Sequence, residues 1–374
     1  MRLIVSLPCL IVLLTWLWPL TLPLGLKIFI AVLMLGAAQF SSWCKLSSGS
    51  VFAPEFPRPL VILFNWAFGT LLFLALLQCA LILSALVWSL AVWRLVHIPD
   101  AVRLAAAGLA GLLTAVAVAN AIRVPAVRDV MVFLPGLPER FDGYRLLQLS
   151  DLHISRLFPA LWTEQVVARA NAAGANLIVV TGDFIDGSVA MRRADIAPLR
   201  QLHAPDGVLA IPGNHEYFFD YADWIQHLSG LGMQMLLNAH TVLTRGDAHL
   251  VVAGVTDLSA EGHGQAGPDL AAALAGRPAG APVVLLDHQP RNAPDAAKAG
   301  VALQLSGHTH GGMIPGLASL VARGNNGFVS GRYTVGGMTL YVSNGTGLWP
   351  GFALRLACPP EITRFCLRAG KADA

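Results

Sequence analysis

Between Leu3 and Ile122 lie four long stretches without one charged side chain: Leu3 to Leu26, Ile28 to Cys44, Leu60 to Trp93 and Leu104 to Ile122. A helix needs about 20 apolar residues to cross a bilayer, and in hydrocarbon its backbone polar groups must satisfy one another. The stretches therefore read as transmembrane helices, and residues 1–123 as a membrane region of about four. They account for a hydrophobic content of 55%, above the ~45–50% of ordinary soluble domains. The third stretch raises the question of two spans, which would make five helices. No Pro or Gly-Asn turn divides it, and Trp66 and Trp88 stand about 33 Å apart along a helix, as interfacial anchors of a single span would.

A cleaved signal peptide is the competing reading of the first stretch. The stretch exceeds the usual apolar region, lacks a small-x-small cleavage site near its end and is followed by more apolar segments. With four helices, Arg2, Lys45, Arg58, Arg123 and Arg128 share one side, against Lys27, Arg94 and Arg103 on the other. The excess of positive residues inside then places the C-terminal part on the cytoplasmic face of the inner membrane, in a multi-pass protein; a fifth helix reverses that side.

Charge divides the chain in the same place. Residues 1–130 carry eight Lys and Arg against three Asp and Glu, a net +5, and the rest carries −2. A slightly acidic C-terminal part lacks the basic footprint of a nucleic-acid binder, so no nucleic-acid partner is expected. Cys9, Cys44 and Cys79 fall in the apolar stretches as small hydrophobes. Cys358 and Cys366 are the only pair elsewhere; a disulfide between them is allowed, but no framework spacing supports it. Val124-Pro125 and the turn-rich Leu134-Pro135-Gly136-Leu137-Pro138 make 124–138 a linker, leaving 139–370 as the second domain.

Beyond residue 140, short apolar runs alternate with helix-like segments. Arg145 to Leu149, Leu177 to Val180, Val208 to Ile211, Leu250 to Val255, Val283 to Leu286 and Val301 to Leu305 are bounded by Gly and polar residues and read as strands. Ala160 to Ala173 suits an amphipathic crossover helix. Units of this kind give an α/β sheet covered by helices, with ligands bound outside the carboxyl ends of the strands. At those ends stand Asp151 and His153, Asp183 and Asp186, Asn214, His215 and Glu216, His288, and His308 and His310. Carboxylate, amide oxygen and imidazole suit borderline divalent metals such as Mn, Fe, Zn, Co or Ni better than thiolate-loving ones. Two such ions side by side hydrolyse phosphate esters.

In this order, Asp151-x-His153, Gly182-Asp183-x-x-Asp186, Gly213-Asn214-His215-Glu216, a lone His288 and Gly307-His308-Thr309-His310 resemble the calcineurin-like metallophosphoesterase family. Gly307 to Gly312, Leu340 to Gly347 and Pro359-Pro360-Glu361-Ile362 are similar to its bacterial membrane-associated branch, related to enzymes that cleave the pyrophosphate of UDP-2,3-diacylglucosamine. The likeness runs from Leu134 to Leu367. It implies two mixed β-sheets packed face to face and flanked by helices, the four-layer metallophosphoesterase sandwich. It implies one metal on Asp151, His153, Asp183 and His310, and a second on Asp183, Asn214, His288 and His308, with Asp183 bridging. It further implies that His215, positioned by Asp186, acts on the leaving oxygen.

Any one motif alone would be a turn or a cap; five in family order, each after a strand, point to a dinuclear site. His288 is the least secured, resting on its Asp287-His288-Gln289-Pro290 setting. His97, His203, His227, His240, His249 and His263 lack such a context. Asp257 reads as a loop cap and Glu216 as a local cap or pair, while core packing outweighs a lipid groove for Trp349, Phe352 and Leu354.

The expected function is that of a membrane-anchored, metal-dependent hydrolase of phosphodiester, phosphomonoester or pyrophosphate bonds, with a lipid-linked substrate and membrane lipid as partners. The alternatives are hydrolysis of soluble phosphodiesters above a passive anchor, and a silent membrane scaffold, for which His215 and Asp186 together would have no use. A transporter is disfavoured because no ionisable side chain interrupts the apolar stretches.

Overall fold

In a computed structural model, described for residues 2–370 apart from the side chains of residues 2–5, the chain forms two units. The side chain of Arg2, counted above toward one face of the membrane, lies outside the described residues. The first unit comprises Met1–Ala121 and Pro350–Leu356; the second comprises Ile122–Trp349 and Ala357–Ala374.

The first unit is helical. Arg58–Val92 and Asp100–Ile122 are each long and apolar enough to cross a membrane. Leu24–Ala38 and Phe40–Ser48 pass that test as one segment bent by 54°, and Ser6–Leu17 is a shorter apolar helix. Length and composition therefore give two to three spans among the described residues where four are expected. The first stretch falls short because the chain leaves the helix around Pro19 and Pro23, which cannot donate to a helical ladder. The third stretch is one helix, as the spacing of its tryptophans implies.

Pro350–Leu356 lies among these helices. Asn65, 1% exposed in an otherwise apolar helix, donates from Nδ2 to the Pro350 carbonyl at 2.9 Å and accepts from the Ala353 N–H at 2.7 Å. Phe352 meets Phe68 edge-on at 6.3 Å, and the Arg355 N–H donates to the Ala117 carbonyl at 2.9 Å. Leu354 sits against Gly69, where a Cβ would meet a Leu354 methyl at 2.9 Å. Packing is thus what Phe352 and Leu354 do. Asn65→Leu should lower the thermal midpoint in detergent, by about 1–3 kcal/mol of stability, because the Ala353 N–H is left buried without an acceptor. An unchanged midpoint would show that this pairing contributes nothing.

Among the described residues the second unit holds twelve strands: β1 (Val127–Leu134), β2 (Tyr144–Leu149), β3 (Leu177–Thr181), β4 (Val208–Ile211), β5 (Gln234–Met235), β6 (Ala239–Arg245), β7 (Ala248–Gly254), β8 (Val283–Leu286), β9 (Leu303–Ser306), β10 (Gly331–Val335), β11 (Met338–Val342) and β12 (Ile362–Ala369). One six-stranded sheet runs β1-β12-β2-β3-β4-β5 and the other β10-β11-β9-β8-β7-β6. Both are mixed and flanked by helices: β2, β3 and β4 are mutually parallel, as are β7, β8, β9 and β11.

Alternation divides the second sheet's side chains between two cores. Leu250, Val252, Val284, Leu286, Leu303 and Leu305 face the other sheet's Leu146, Val179, Leu209 and Ile211. Val251, Ala253, Val283 and Leu285 face the opposite way, into a core shared with Ala273, Leu274, Ala293 and Ala296 of the covering helices. Burial on both faces is why these strands read as unbroken apolar runs. At Gly254 a Cβ would come within 2.5 Å of an Ile211 methyl, so only glycine lets the sheets approach there.

Half of the strands escape an apolar-run reading. β1 lies inside 124–138, the stretch expected to be a linker, and pairs in parallel with β12, Val127 opposite Ile362. Exposed Arg128, Asp129 and Met131 hide it from a hydrophobicity pattern, as suits a strand at the sheet edge. The β10–β11 hairpin turns on Gly336 and Gly337, both at positive φ. No disulfide joins Cys358 and Cys366; Cys366 lies within β12, while the Cys358 thiol donates to the His310 carbonyl at 3.3 Å.

Candidate metal centre

Parallel strands aim their carboxyl ends one way. Asp151 and His153 follow β2, Asp183 and Asp186 follow β3, and Asn214 and His215 follow β4; from the facing sheet, His288 follows β8, and His308 and His310 follow β9. All are at least nine-tenths buried except His308, which is partly exposed. Ligand-type atoms of Asp151, His153 and His310 lie within 4.8 Å of one another, as do those of Asp183, His288 and His308, and those of His153, Asp186 and His215. The two sheets thus bring together every residue singled out in the motifs.

The distances tie these groups into one cluster. Asp183 Oδ2 lies 3.3 Å from His288 Nε2, 3.7 Å from His153 Nε2 and 3.9 Å from His215 Nε2. His153 Nε2 faces His310 Nε2 at 3.3 Å, and His310 Nε2 is 3.7 Å from Asp151 Oδ1. Asn214 Oδ1 is approached by His288 Nε2 at 3.1 Å and by His308 Nδ1 at 2.9 Å.

The outward ring nitrogens are held in ligand orientation. His288 Nδ1 lies 2.7 Å from the Thr181 carbonyl, which can only accept, so Nδ1 carries the proton and Nε2 presents its lone pair to the cluster. His153 Nδ1 is likewise set against Asp186 Oδ2 at 3.1 Å. Buried carboxylates, an amide oxygen and imidazole lone pairs aimed at shared points, without thiolate, fit divalent ions of the Mn, Fe, Zn, Co or Ni kind.

Electrostatics point the same way. Burial would raise the Asp183 pKa, but His288 and His215 outweigh it and hold the carboxyl well below its ordinary value. Burial opposes charging of His215, yet Asp183 and Asp186 lift its pKa to about 9. Burial, reinforced by His288, pushes His308 down to about 3. The negative charge gathered here is what a pair of cations would neutralise.

His215 touches both carboxylates of the Gly182-Asp183-x-x-Asp186 motif. Its Nδ1 is 2.5 Å from Asp186 Oδ1, its backbone N–H donates to Asp183 Oδ1 at 2.8 Å, and its Nε2 lies 3.9 Å from Asp183 Oδ2. Asp186 therefore braces two rings at once, His153 through Oδ2 and His215 through Oδ1.

The backbone adds a feature that side-chain type does not announce. Asp151, His153, Asp183, His308 and His310 all have positive φ, between 46° and 69°. Such conformations cost about 1–3 kcal/mol each in a non-glycine residue and persist where the surroundings over-determine them, typically at functional sites. Glycines make the tight loops: at Gly182, φ 88°, a Cβ would lie 2.5 Å from the Gly213 nitrogen.

Glu216 does more than cap locally. One oxygen accepts from the Gly213 N–H at 2.6 Å and the Asp183 N–H at 3.0 Å, and the other accepts from the Phe184 N–H at 2.8 Å. It stitches the loop after β4 to the loop after β3, a role that sequence distance conceals. Burial first, and Asp183 second, raise its pKa to about 7. Glu216→Ala strands three buried donors and should cost about 3 kcal/mol or more. Thermal unfolding should show that loss together with weaker metal binding, and a fully stable variant would refute the stitch. Asp257 is a loop cap as expected, its Oδ1 accepting from the Ser259 N–H at 2.7 Å.

Carboxylates, an amide and imidazoles thus gather, buried, at the strand ends of two facing sheets. Residues 144–312 match the family model described as calcineurin-like phosphoesterase. The zebrafish "Transmembrane protein with metallophosphoesterase domain" is 34% identical over 261 residues, covering 67% of this chain and 59% of that protein. The "Uncharacterized metallophosphoesterase YkuE" of Bacillus subtilis is 32% identical over 240 residues, covering 62% of this chain and 82% of the relative. Among solved structures, the calcineurin-like phosphoesterase YfkN from Bacillus subtilis aligns with 16% identity and a TM-score of 0.36, covering 56% of this chain and 82% of that one. The chain belongs to the calcineurin-like metallophosphoesterase family. It spans about 60% of the length of its zebrafish and bovine relatives, which are named as transmembrane proteins.

Proposed function

We propose that this chain is a membrane-anchored hydrolase that uses two divalent metal ions to cleave phosphodiester, phosphomonoester or pyrophosphate bonds. The observation that carries the reading is the cluster itself: seven donor side chains from loops of two sheets, with His215 and Asp186 beside them. Asp151, His153, Asp183 and His310 would hold one ion, and Asp183, Asn214, His288 and His308 the other. When bound, the pair would neutralise the phosphoryl oxygens and activate the attacking water.

The chain's own groups do the rest. His215 Nε2 gives its proton to the departing oxygen, a task worth about 10²–10⁴-fold in rate. Asp186 keeps that ring in place and holds its charge. Glu216 fixes the loops that carry both.

The apolar helices favour a substrate carried by membrane lipid, because an anchored enzyme meets lipid-borne substrate at high effective concentration. On this reading the protein is multi-pass in the inner membrane, with the catalytic domain on the cytoplasmic side. Soluble phosphodiesters are the second reading. The full chain, stripped with chelator and reloaded with Mn, Zn, Co, Ni or Fe(II), is assayed on bis(p-nitrophenyl) phosphate and, in vesicles, on a lipid phosphodiester and a lipid pyrophosphate. Metal-dependent turnover, faster on the vesicle substrates, is the expected result. Equal turnover on soluble and lipid-borne substrates favours the second reading, and metal-independent turnover refutes both.

A further inference from the structure

Next to His215 the surface carries an aromatic pocket that the hydrolytic reading does not use. Tyr217 and Phe218 end the short helix that begins at Asn214. The Phe218 ring, 38% exposed, has its centroid 5.1 Å from the His215 ring. Tyr217 stacks on Tyr221 at 4.2 Å with an interplanar angle of 11°. His263, from a separate turn, closes the group at 5.7 Å from Phe218 and 6.2 Å from Tyr217. These side chains line a cavity of about 460 Å³ together with Asp220 and Asp223, and among the described residues no Lys or Arg joins that lining.

We propose that this pocket is the leaving-group subsite and that it takes an ammonium-bearing alcohol of the choline kind. The proposal rests on the reading of His215 as the group that protonates the departing oxygen. Whatever that oxygen belongs to must lie beside the His215 ring, and Phe218 is there. Aromatic faces attract a cation through the ring quadrupole, and quaternary ammonium ligands are characteristically held by several such faces. Asp220 and Asp223 add attraction for positive charge and repel a leaving group that carries phosphate of its own. An alkyl alcohol is also a poor leaving group, so it profits most from a placed proton donor.

The step balances without a further reagent. A water oxygen bonds to phosphorus, the bond from phosphorus to the alcohol oxygen breaks, and that oxygen takes the proton of His215. The proton lost by the water restores His215, and the products are the ammonium alcohol and a phosphomonoester.

The test compares two methyl phosphodiesters on the full-length, manganese-loaded protein in detergent. One carries choline; the other carries 3,3-dimethylbutanol, which has the same shape with carbon in place of the charged nitrogen. The choline diester should be favoured in kcat/KM by about 10-fold, within the ~2- to 30-fold that cation–π attraction supplies. Phe218→Leu and Tyr221→Leu should each bring that ratio close to 1, whereas Phe218→Tyr keeps it. Independently of turnover, tetramethylammonium should give a saturation-transfer NMR signal with the metal-free protein, and Phe218→Leu should abolish it. Equal or reversed preference with both diesters hydrolysed overturns the subsite and leaves phosphodiester hydrolysis standing. Hydrolysis of neither diester with any metal overturns both, and a tetramethylammonium signal unaltered in Phe218→Leu places the cation elsewhere.

Discussion

Replacing Asp183 by Asn is expected to abolish activity and to cost the protein at least one metal ion. Asp183 Oδ2 lies within 3.9 Å of ring nitrogens of His288, His153 and His215, so its charge reaches both halves of the cluster. Its Oδ1 accepts the His215 N–H, a bond that an Asn oxygen can still accept. The substitution therefore removes charge while keeping shape. A placed charge or donor in a dry site is worth about 10²–10³ in rate by itself, and loss of metal multiplies that. We expect a fall of about 10³-fold or more, with metal analysis showing one equivalent or fewer. Two full equivalents in an active variant would end the case for a shared bridging ligand.

His215→Ala should separate chemistry from metal binding. The Nδ1 of His215 is committed to Asp186 at 2.5 Å, and its Nε2 is farther from Asp183 than either neighbouring ring nitrogen. Metal content should stay at the unsubstituted level while kcat falls by about 10²–10⁴-fold. The fall should be smaller for a p-nitrophenyl leaving group, which departs without a proton, than for an alkyl one. A variant that loses metal yet keeps its rate per loaded site would make His215 a ligand.

These two predictions draw on residues that were legible before any coordinates, and the reason is local. Motifs such as Gly182-Asp183-x-x-Asp186 and Gly213-Asn214-His215-Glu216 sit directly after strands buried on both faces. Such strands betray themselves as apolar runs, and parallel strands deliver their ends to one edge. Val208 to Ile211 is a strand with the very bounds that its apolar run marks, and Ala160–Ala172 is the crossover helix. The edge strands were hidden. β10 leaves alternate residues exposed and β1 exposes Arg128, Asp129 and Met131, so a reader of hydrophobicity takes β1 for linker. Glu216 was hidden for a different cause: its partners Asp183 and Phe184 are more than thirty positions away.

By itself the sequence determined the apolar helical region, the alternation of strands and helices, and which side chains are candidate donors, since each follows from neighbours a few positions away. Only the tertiary structure decided that the apolar stretches offer two to three spans by length, and that Asn65 in one of them is satisfied by Pro350–Leu356. It alone set five candidate ligands at positive φ and made Asp186 a brace for two rings. It also brought Phe218 against His215 and His263 into the same pocket. Chain chemistry names the groups able to bind or react, but their distances depend on how two sheets stack, and stacking is settled by the whole core at once.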